Sequence, residues 1–143
     1  MKHNKNSTEY LNQKLLGTGN LSDFFNENKD GITKDTFGVA LGKLIDKKEI
    51  TNGKLFTEAN ISQSTGYQIL SSRRLPSREK VLQLTIGLSL NLQETNKLLR
   101  LSKHGELYVK EKRDAIIIYS INNSLSIFHT NELLHEENFK VLE

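Results

Sequence analysis

An internal repeat with a period of 35 residues constrains the fold of this sequence more than any other feature. Identical residues recur at that spacing, from Arg78 and Arg113 at the start to Leu107 and Leu142 at the end. The other identical pairs include Ser89 with Ser124, Leu90 with Leu125, Thr95 with Thr130, Asn96 with Asn131, Leu98 with Leu133 and Leu99 with Leu134. The C-terminal half is therefore expected to hold two copies of one structural unit.

The first copy has the pattern of a helix pair. Pro76 cannot lie inside a helix, so a new helix is predicted from Ser77 to about Leu90, followed by another from Leu92 to Leu101. In the second copy the segment DAIIIYSI, taken alone, favours a strand because of its three consecutive isoleucines. The register shared with the first copy favours a helix, and the strand remains the alternative.

Composition supports an all-α class. The 143 residues include one proline, no tryptophan and no cysteine, which excludes disulfides, thiolate metal sites and a cysteine nucleophile. Short helices are predicted over residues 8–16 and 21–29, and a longer one from Thr33 to Glu49. The polar start and the absence of any run near ~18 apolar residues predict a cytoplasmic protein without a membrane segment.

Charge is unevenly distributed along the chain. The net charge is only +3, but residues 51–105 carry eight Lys and Arg against three Asp and Glu, whereas residues 106–143 carry four against seven. No carboxylate lies between Ala59 and Arg78, where Arg73, Arg74 and Arg78 cluster. Solvated helix faces usually mix both signs, so this stretch is a candidate anion-facing surface.

The segment TNGKLFTEANISQSTGYQILSSRRLPS, residues 51–77, has the parts of a helix-turn-helix in order. A threonine cap precedes the apolar pair Leu55 and Phe56, Asn60 lies at the turn, and Ser62 caps a second helix. The segment resembles the lambda-repressor-like helix-turn-helix family (Cro/CI type, XRE family) of bacterial and phage DNA-binding regulators. The resemblance covers about residues 33–101 and implies a bundle of four or five short helices.

The sequence departs from the family pattern at three positions. Phe56 replaces the usual alanine and Gly66 replaces a bulky aliphatic residue, an exchange that conserves volume if the two face each other. Ser72 replaces the common glycine after the second helix.

The resemblance also implies which side chains bind DNA. Those predicted to contact bases are Gln63, Ser64, Tyr67 and Gln68. Those predicted to contact phosphates are Thr51, Asn52, Lys54, Ser62, Arg73, Arg74 and Ser77. For any one of them a structural role, such as capping by Ser62, is as plausible as DNA contact, and the joint pattern favours DNA.

Catalysis is not expected. His3, His104, His129 and His135 show no metal-ligand spacing, and no nucleophile is next to a base, so no catalytic residue, metal or cofactor is predicted. Gly17 and Gly19 lack the strand and the further glycines of a nucleotide-binding loop.

The predicted function is a sequence-specific transcriptional regulator that binds double-stranded DNA as a homodimer. The predicted domains are an N-terminal helical extension (1–32), a DNA-binding domain (33–103) and a C-terminal helix pair (104–143). The C-terminal pair is the first candidate for dimerisation or for binding a partner protein, and the N-terminal helix with Phe24 and Phe25 is the second. The alternative function is a protein-interaction adaptor on the same scaffold without DNA binding.

Overall fold

The computed structural model describes residues 6–32 and 35–143. Every regular element in these ranges is a helix, which confirms the predicted all-α class. The chain divides into two compact units, residues 1–34 and 35–143. Thr33, where a helix and a domain were predicted to begin, lies outside the described residues, as does His3.

The first unit contains α1 (Thr8–Gly17), α2 (Leu21–Glu27) and a short 3-10 helix (Lys29–Gly31). Asn20 caps α2, its side-chain oxygen accepting a hydrogen bond from the Asp23 backbone N–H at 3.3 Å. Of the large apolar side chains of α2, Phe24 is buried, whereas Leu21 and Phe25 are exposed.

The second unit begins with α3 (Phe37–Lys47), α4 (Asn52–Glu58) and α5 (Gln63–Leu70). Helix α3 begins later than predicted because Thr36 is its N-cap and accepts from the Val39 backbone N–H. Phe37, Leu41 and Ile45 recur every four residues and form its buried face. Helix α3 packs on α5 and on the first helix pair of the repeat.

The repeat folds as two helix pairs, α6 (Arg78–Gly87) with α7 (Leu92–Leu101), and α8 (Lys112–Asn122) with α9 (Ile127–Glu136). The strand alternative for the isoleucine run is wrong, because Ile117 and Ile121 lie on the buried face of α8. Equivalent hydrogen bonds close both pairs: the side-chain oxygen of Asn96 accepts from the Leu107 N–H at 3.0 Å, and that of Asn131 from the Leu142 N–H at 2.8 Å. The sequence repeat is therefore also a repeat in structure.

The two pairs pack on each other reciprocally, α6 against α9 and α7 against α8. Arg78 donates to both carboxylate oxygens of Asp114 at 3.1 and 2.9 Å, and Arg113 donates to both oxygens of Glu79 at 3.0 and 2.8 Å. Glu79 and Asp114 are equivalent positions of the repeat. Exchanging the two copies therefore exchanges the two ion pairs, which is the pattern of a two-fold axis within one chain.

The pKa of Asp114 is perturbed at this interface. Burial alone would raise its pKa, but hydrogen bonds from Arg78 and from the Tyr108 backbone N–H, with the charges of Arg78 and Arg113, outweigh burial and lower the pKa below its ordinary value of 3.8. The carboxylate is thus held ionised where the copies meet.

One hydrophobic core runs through the second unit and includes residues from α3 to α9 as well as Leu142. Its fully buried large side chains are Leu41, Leu55, Phe56, Ile69, Leu82, Leu84, Leu90, Leu98, Leu99, Ile117, Leu134 and Leu142. Among the described residues, no helix is both long and apolar enough to cross a membrane.

Candidate nucleic-acid interface

Helices α4 and α5 are joined by a tight turn over residues 59–62. Asn60 adopts a left-handed conformation with φ of 56°, and the Ile61 N–H donates back to the Phe56 carbonyl at 2.9 Å. Asn tolerates this conformation better than most side chains. The hydrogen bonds from the turn back to α4 satisfy backbone carbonyls at the end of that helix. Ile61 is buried, so the turn is attached to the core.

Both helices begin at hydroxyl caps, as predicted. Thr51 Oγ1 accepts from the Lys54 N–H at 3.2 Å, and Ser62 Oγ accepts from the Thr65 N–H at 3.2 Å. The Ser62 hydroxyl also donates to Thr65 Oγ1 at 2.9 Å. Ser62 therefore has a definite capping role.

The aromatic ring of Phe56 lies against α5. Phe56 is fully buried, and a Cβ added to Gly66 would lie 2.5 Å from its ring. The two positions therefore face each other, which is the geometry that an exchange of volume between them requires. Tyr67 meets the Phe56 ring edge-on, with centroids 5.3 Å apart, while 51% of its surface stays exposed.

Gln83 on α6 is hydrogen-bonded to the turn between α4 and α5. Its side chain is fully buried, and its amide nitrogen donates to the carbonyls of Ala59 at 3.1 Å and Asn60 at 3.2 Å. Its Oε1 has no hydrogen-bond partner within the described part of the chain. Gln83 was not predicted to matter, because a lone glutamine in an apolar helix carries no recognisable pattern.

The solvent-facing side of α5 carries all four side chains predicted to contact bases. Gln63, Ser64, Tyr67 and Gln68 are exposed, whereas Gly66 and Ile69 on the opposite side are buried. At about 100° per residue, these four positions span less than half of the helix circumference, so the four side chains form one polar strip.

Gln63 is hydrogen-bonded to the neighbouring helix. Its side-chain amide donates to the Gly53 carbonyl at 3.3 Å, which ties the start of α5 to α4. One amide N–H and the carbonyl oxygen remain for a ligand, the pair with which glutamine recognises adenine.

The side chains predicted to contact phosphates lie at the starts of α4, α5 and α6 and just after the end of α5. Thr51, Lys54, Ser62, Arg73, Arg74 and Ser77 are exposed and Asn52 is half-buried. Arg73 and Arg74 follow α5 directly, and Ser77 caps α6 by accepting from the Lys80 N–H at 3.3 Å. Ser72, in place of the expected glycine, has a left-handed φ of 61° and its hydroxyl donates to Thr36 Oγ1 at 3.1 Å.

The arginines next to α5 differ from the other arginines of this unit in their ion pairing. Of the five arginines in the sequence, Arg78, Arg100 and Arg113 each pair with a carboxylate, whereas Arg73 and Arg74 have no acidic partner within the described residues. The expectation that Arg78 belongs to the anion-facing surface is wrong, because its guanidinium turns towards Asp114.

Comparisons with known proteins add no relative. A scan against protein-family models found no match, and searches of curated proteins and of solved structures found none either.

A metal centre has no geometric support in residues 6–32 and 35–143, where no three His, Asp or Glu side chains gather closely enough to hold an ion. His104 is instead within 2.8 Å of the Pro76 carbonyl through its Nε2, and His129 Nδ1 lies 3.0 Å from Ser126 Oγ.

Proposed function

We propose that this chain is a sequence-specific DNA-binding transcriptional regulator of the lambda-repressor-like type. In this proposal α4 and α5 form the helix-turn-helix, α5 enters the major groove, and the protein acts on DNA in the cytoplasm as a homodimer without cofactor or catalysis. The observation that carries it is the polar strip of α5, flanked by two arginines that pair with no acid among the described residues.

Base recognition falls to the α5 strip. Gln63 and Gln68 each offer an amide donor and acceptor for adenine, and Ser64 offers a hydroxyl. Tyr67, braced by Phe56, presents a partly exposed ring of fixed orientation for contact with a thymine methyl or a sugar. These contacts supply sequence preference.

Phosphate binding falls to side chains at the helix starts and after α5. Lys54, Arg73 and Arg74 provide charge, and Thr51, Asn52, Ser62 and Ser77 provide polar groups where three helices begin. Contacts to phosphate position the protein without reading sequence. A two-fold dimer would place two such surfaces on two half-sites.

A protein-interaction adaptor is the second candidate function. The observation that favours it lies on α8 and α9, where Tyr119 is 56% exposed beside the half-buried Ile116 and Leu133. An adaptor would use this apolar surface and leave the α5 strip unused.

Selection of bound duplexes from a random pool, followed by gel shifts, tests the proposal. Replacing Gln63 or Gln68 with alanine should change the preferred sequence, at a cost of about 1–3 kcal/mol on the wild-type site. Replacing Arg73 and Arg74 together should weaken binding to every sequence alike.

Arg100→Ala is the matched control, because it removes an exposed arginine whose partner is Glu106. It should leave affinity unchanged. A pool that yields no enriched sequence, or an Arg73 and Arg74 double variant that binds like the wild type, would exclude the proposed interface and favour the adaptor.

A further inference from the structure

The two copies of the repeat differ in how much of one face is covered. Val81, Leu84 and Leu98 are fully buried in the first copy. Their equivalents in the second copy are Ile116 and Leu133, both half-buried, and Tyr119, which is 56% exposed. The same face is therefore closed in one helix pair and open in the other.

Helices from the preceding part of the chain close the face in the first copy. Helix α4 packs on α6 and α3 packs on α7, and the Gln83 amide bonds the end of α4. The second copy has no such cover within the described residues of its unit. By equivalence, the α8–α9 face corresponds to the face of α6 and α7 on which α4 and α3 pack.

A groove of about 350 Å³ lies on this face between α8 and α9. Ala115, Ile116, Tyr119 and Leu133 line its apolar wall. Glu136 also lines the groove, and an exposed ion pair between Lys112 Nζ and Glu137 Oε2, 2.9 Å apart, lies at its rim. In the first copy the equivalents of these two charged residues are Ser77 and Ser102, so the charges belong to the open face alone.

The charges at the rim favour a second copy of this chain as the occupant. A surface that carries both a cation and an anion is complementary to itself across a two-fold axis, since Lys112 of each chain can meet Glu137 of the other. The chain already joins two copies of this helix pair through reciprocal ion pairs, Arg78 with Asp114 and Arg113 with Glu79. Tyr119 would be the aromatic anchor, a residue type enriched at the centres of interfaces.

We infer that the α8–α9 face, defined by Ile116, Tyr119 and Leu133 with the Lys112 and Glu137 rim, is the surface through which two copies of this chain form a two-fold dimer. The inference names the interface of the dimer in the proposed function, and none of its observations involves DNA.

Sedimentation equilibrium without DNA, from about 1 to about 100 µM chain, is the test. The wild type should reach twice the 16.3 kDa mass of one chain. Tyr119→Glu places a charge at the predicted anchor and should raise the dimer dissociation constant about 30-fold or more. Lys112→Glu, which alters only an exposed side chain, should also raise it, because the rim then carries like charges on both chains.

Phe128→Glu is the matched control. Phe128 is a 68% exposed aromatic residue of α9 that does not line the groove, so this variant should dimerise like the wild type. Circular dichroism establishes that each variant is folded, and Lys112→Glu keeps the test decisive if Tyr119→Glu unfolds.

Three results would overturn the inference. They are a wild type that is monomeric throughout the concentration range, folded Tyr119→Glu and Lys112→Glu variants that dimerise like the wild type, and a monomeric Phe128→Glu. A monomeric wild type that still selects a DNA sequence would remove the dimer and leave the DNA interface standing. A dimer that binds no DNA would do the reverse.

Discussion

Removing the Arg78 side chain should destabilise the protein more than removing any exposed cation. Arg78 donates four hydrogen bonds, two to Asp114 and one each to the carbonyls of Gly105 and Glu106. Arg78→Met keeps much of the aliphatic volume and deletes all four. Asp114, whose side chain is only 11% exposed, is then left charged with the Tyr108 N–H as its remaining donor.

The size of the loss follows from this burial. Removing one partner of a fully buried ion pair costs about 3–5 kcal/mol, because the other charge is left without compensation. Arg78 is 28% exposed and Asp114 keeps one donor, so we expect about 2–3 kcal/mol. Arg100→Met, which breaks a pair whose members are 55% and 48% exposed, should cost less than about 1 kcal/mol.

Urea unfolding at pH 7, followed by circular dichroism, measures both losses. Adding Asp114→Asn to Arg78→Met should recover part of the stability, because the uncompensated charge is gone. If Arg78→Met lost no more stability than Arg100→Met, the ion pairs between the repeat copies would not hold the second unit together.

Three further predictions concern other contacts. Because the pKa of Asp114 is lowered in the fold, its charge stabilises the protein above the ordinary value of 3.8 and less as pH falls below it. The stability difference between wild type and Asp114→Asn should therefore shrink below about pH 4. A difference that is equal at pH 3 and 7 would contradict this. Ser124→Gly, at a left-handed φ of 52°, should add about 0.5–1 kcal/mol to the free energy of unfolding, whereas a loss would be contrary to the conformational argument. Gln83→Leu should cost about 1–3 kcal/mol in urea unfolding, because two carbonyls of the turn lose their donor, and an unchanged midpoint would show that the turn does not need it.

Local patterns predicted most of the helices. Caps such as Thr51 and Ser62 determine where helices begin within a few residues, and their side chains bond the backbone as expected. The repeat resolved the isoleucine run, since Ile117 has the position in α8 that Leu82 has in α6. Helix caps depend on neighbouring residues, and the repeat is visible by comparing the sequence with itself, so neither requires knowledge of the fold.

Long-range pairing could not be predicted in the same way. Arg78 lies among basic residues in sequence, but its partner Asp114 is 36 positions away and meets it only when the copies pack. Gln83 becomes important only because the turn of α4 and α5 comes to lie over it. The exposure of the predicted DNA-binding side chains follows the helical pattern, whereas binding itself depends on a partner that the sequence does not contain.

Salt dependence of DNA affinity tests the central claim most directly. Lys54, Arg73 and Arg74 from each of two chains would contact about six phosphates, so the logarithm of the association constant should fall with the logarithm of salt concentration with a slope of about −5. The Arg73→Ala and Arg74→Ala double variant should have a slope near −2, since two contacts per chain are removed. Binding that is absent at about 50 mM salt, or a wild-type affinity that does not change up to about 200 mM, would contradict the DNA-binding function.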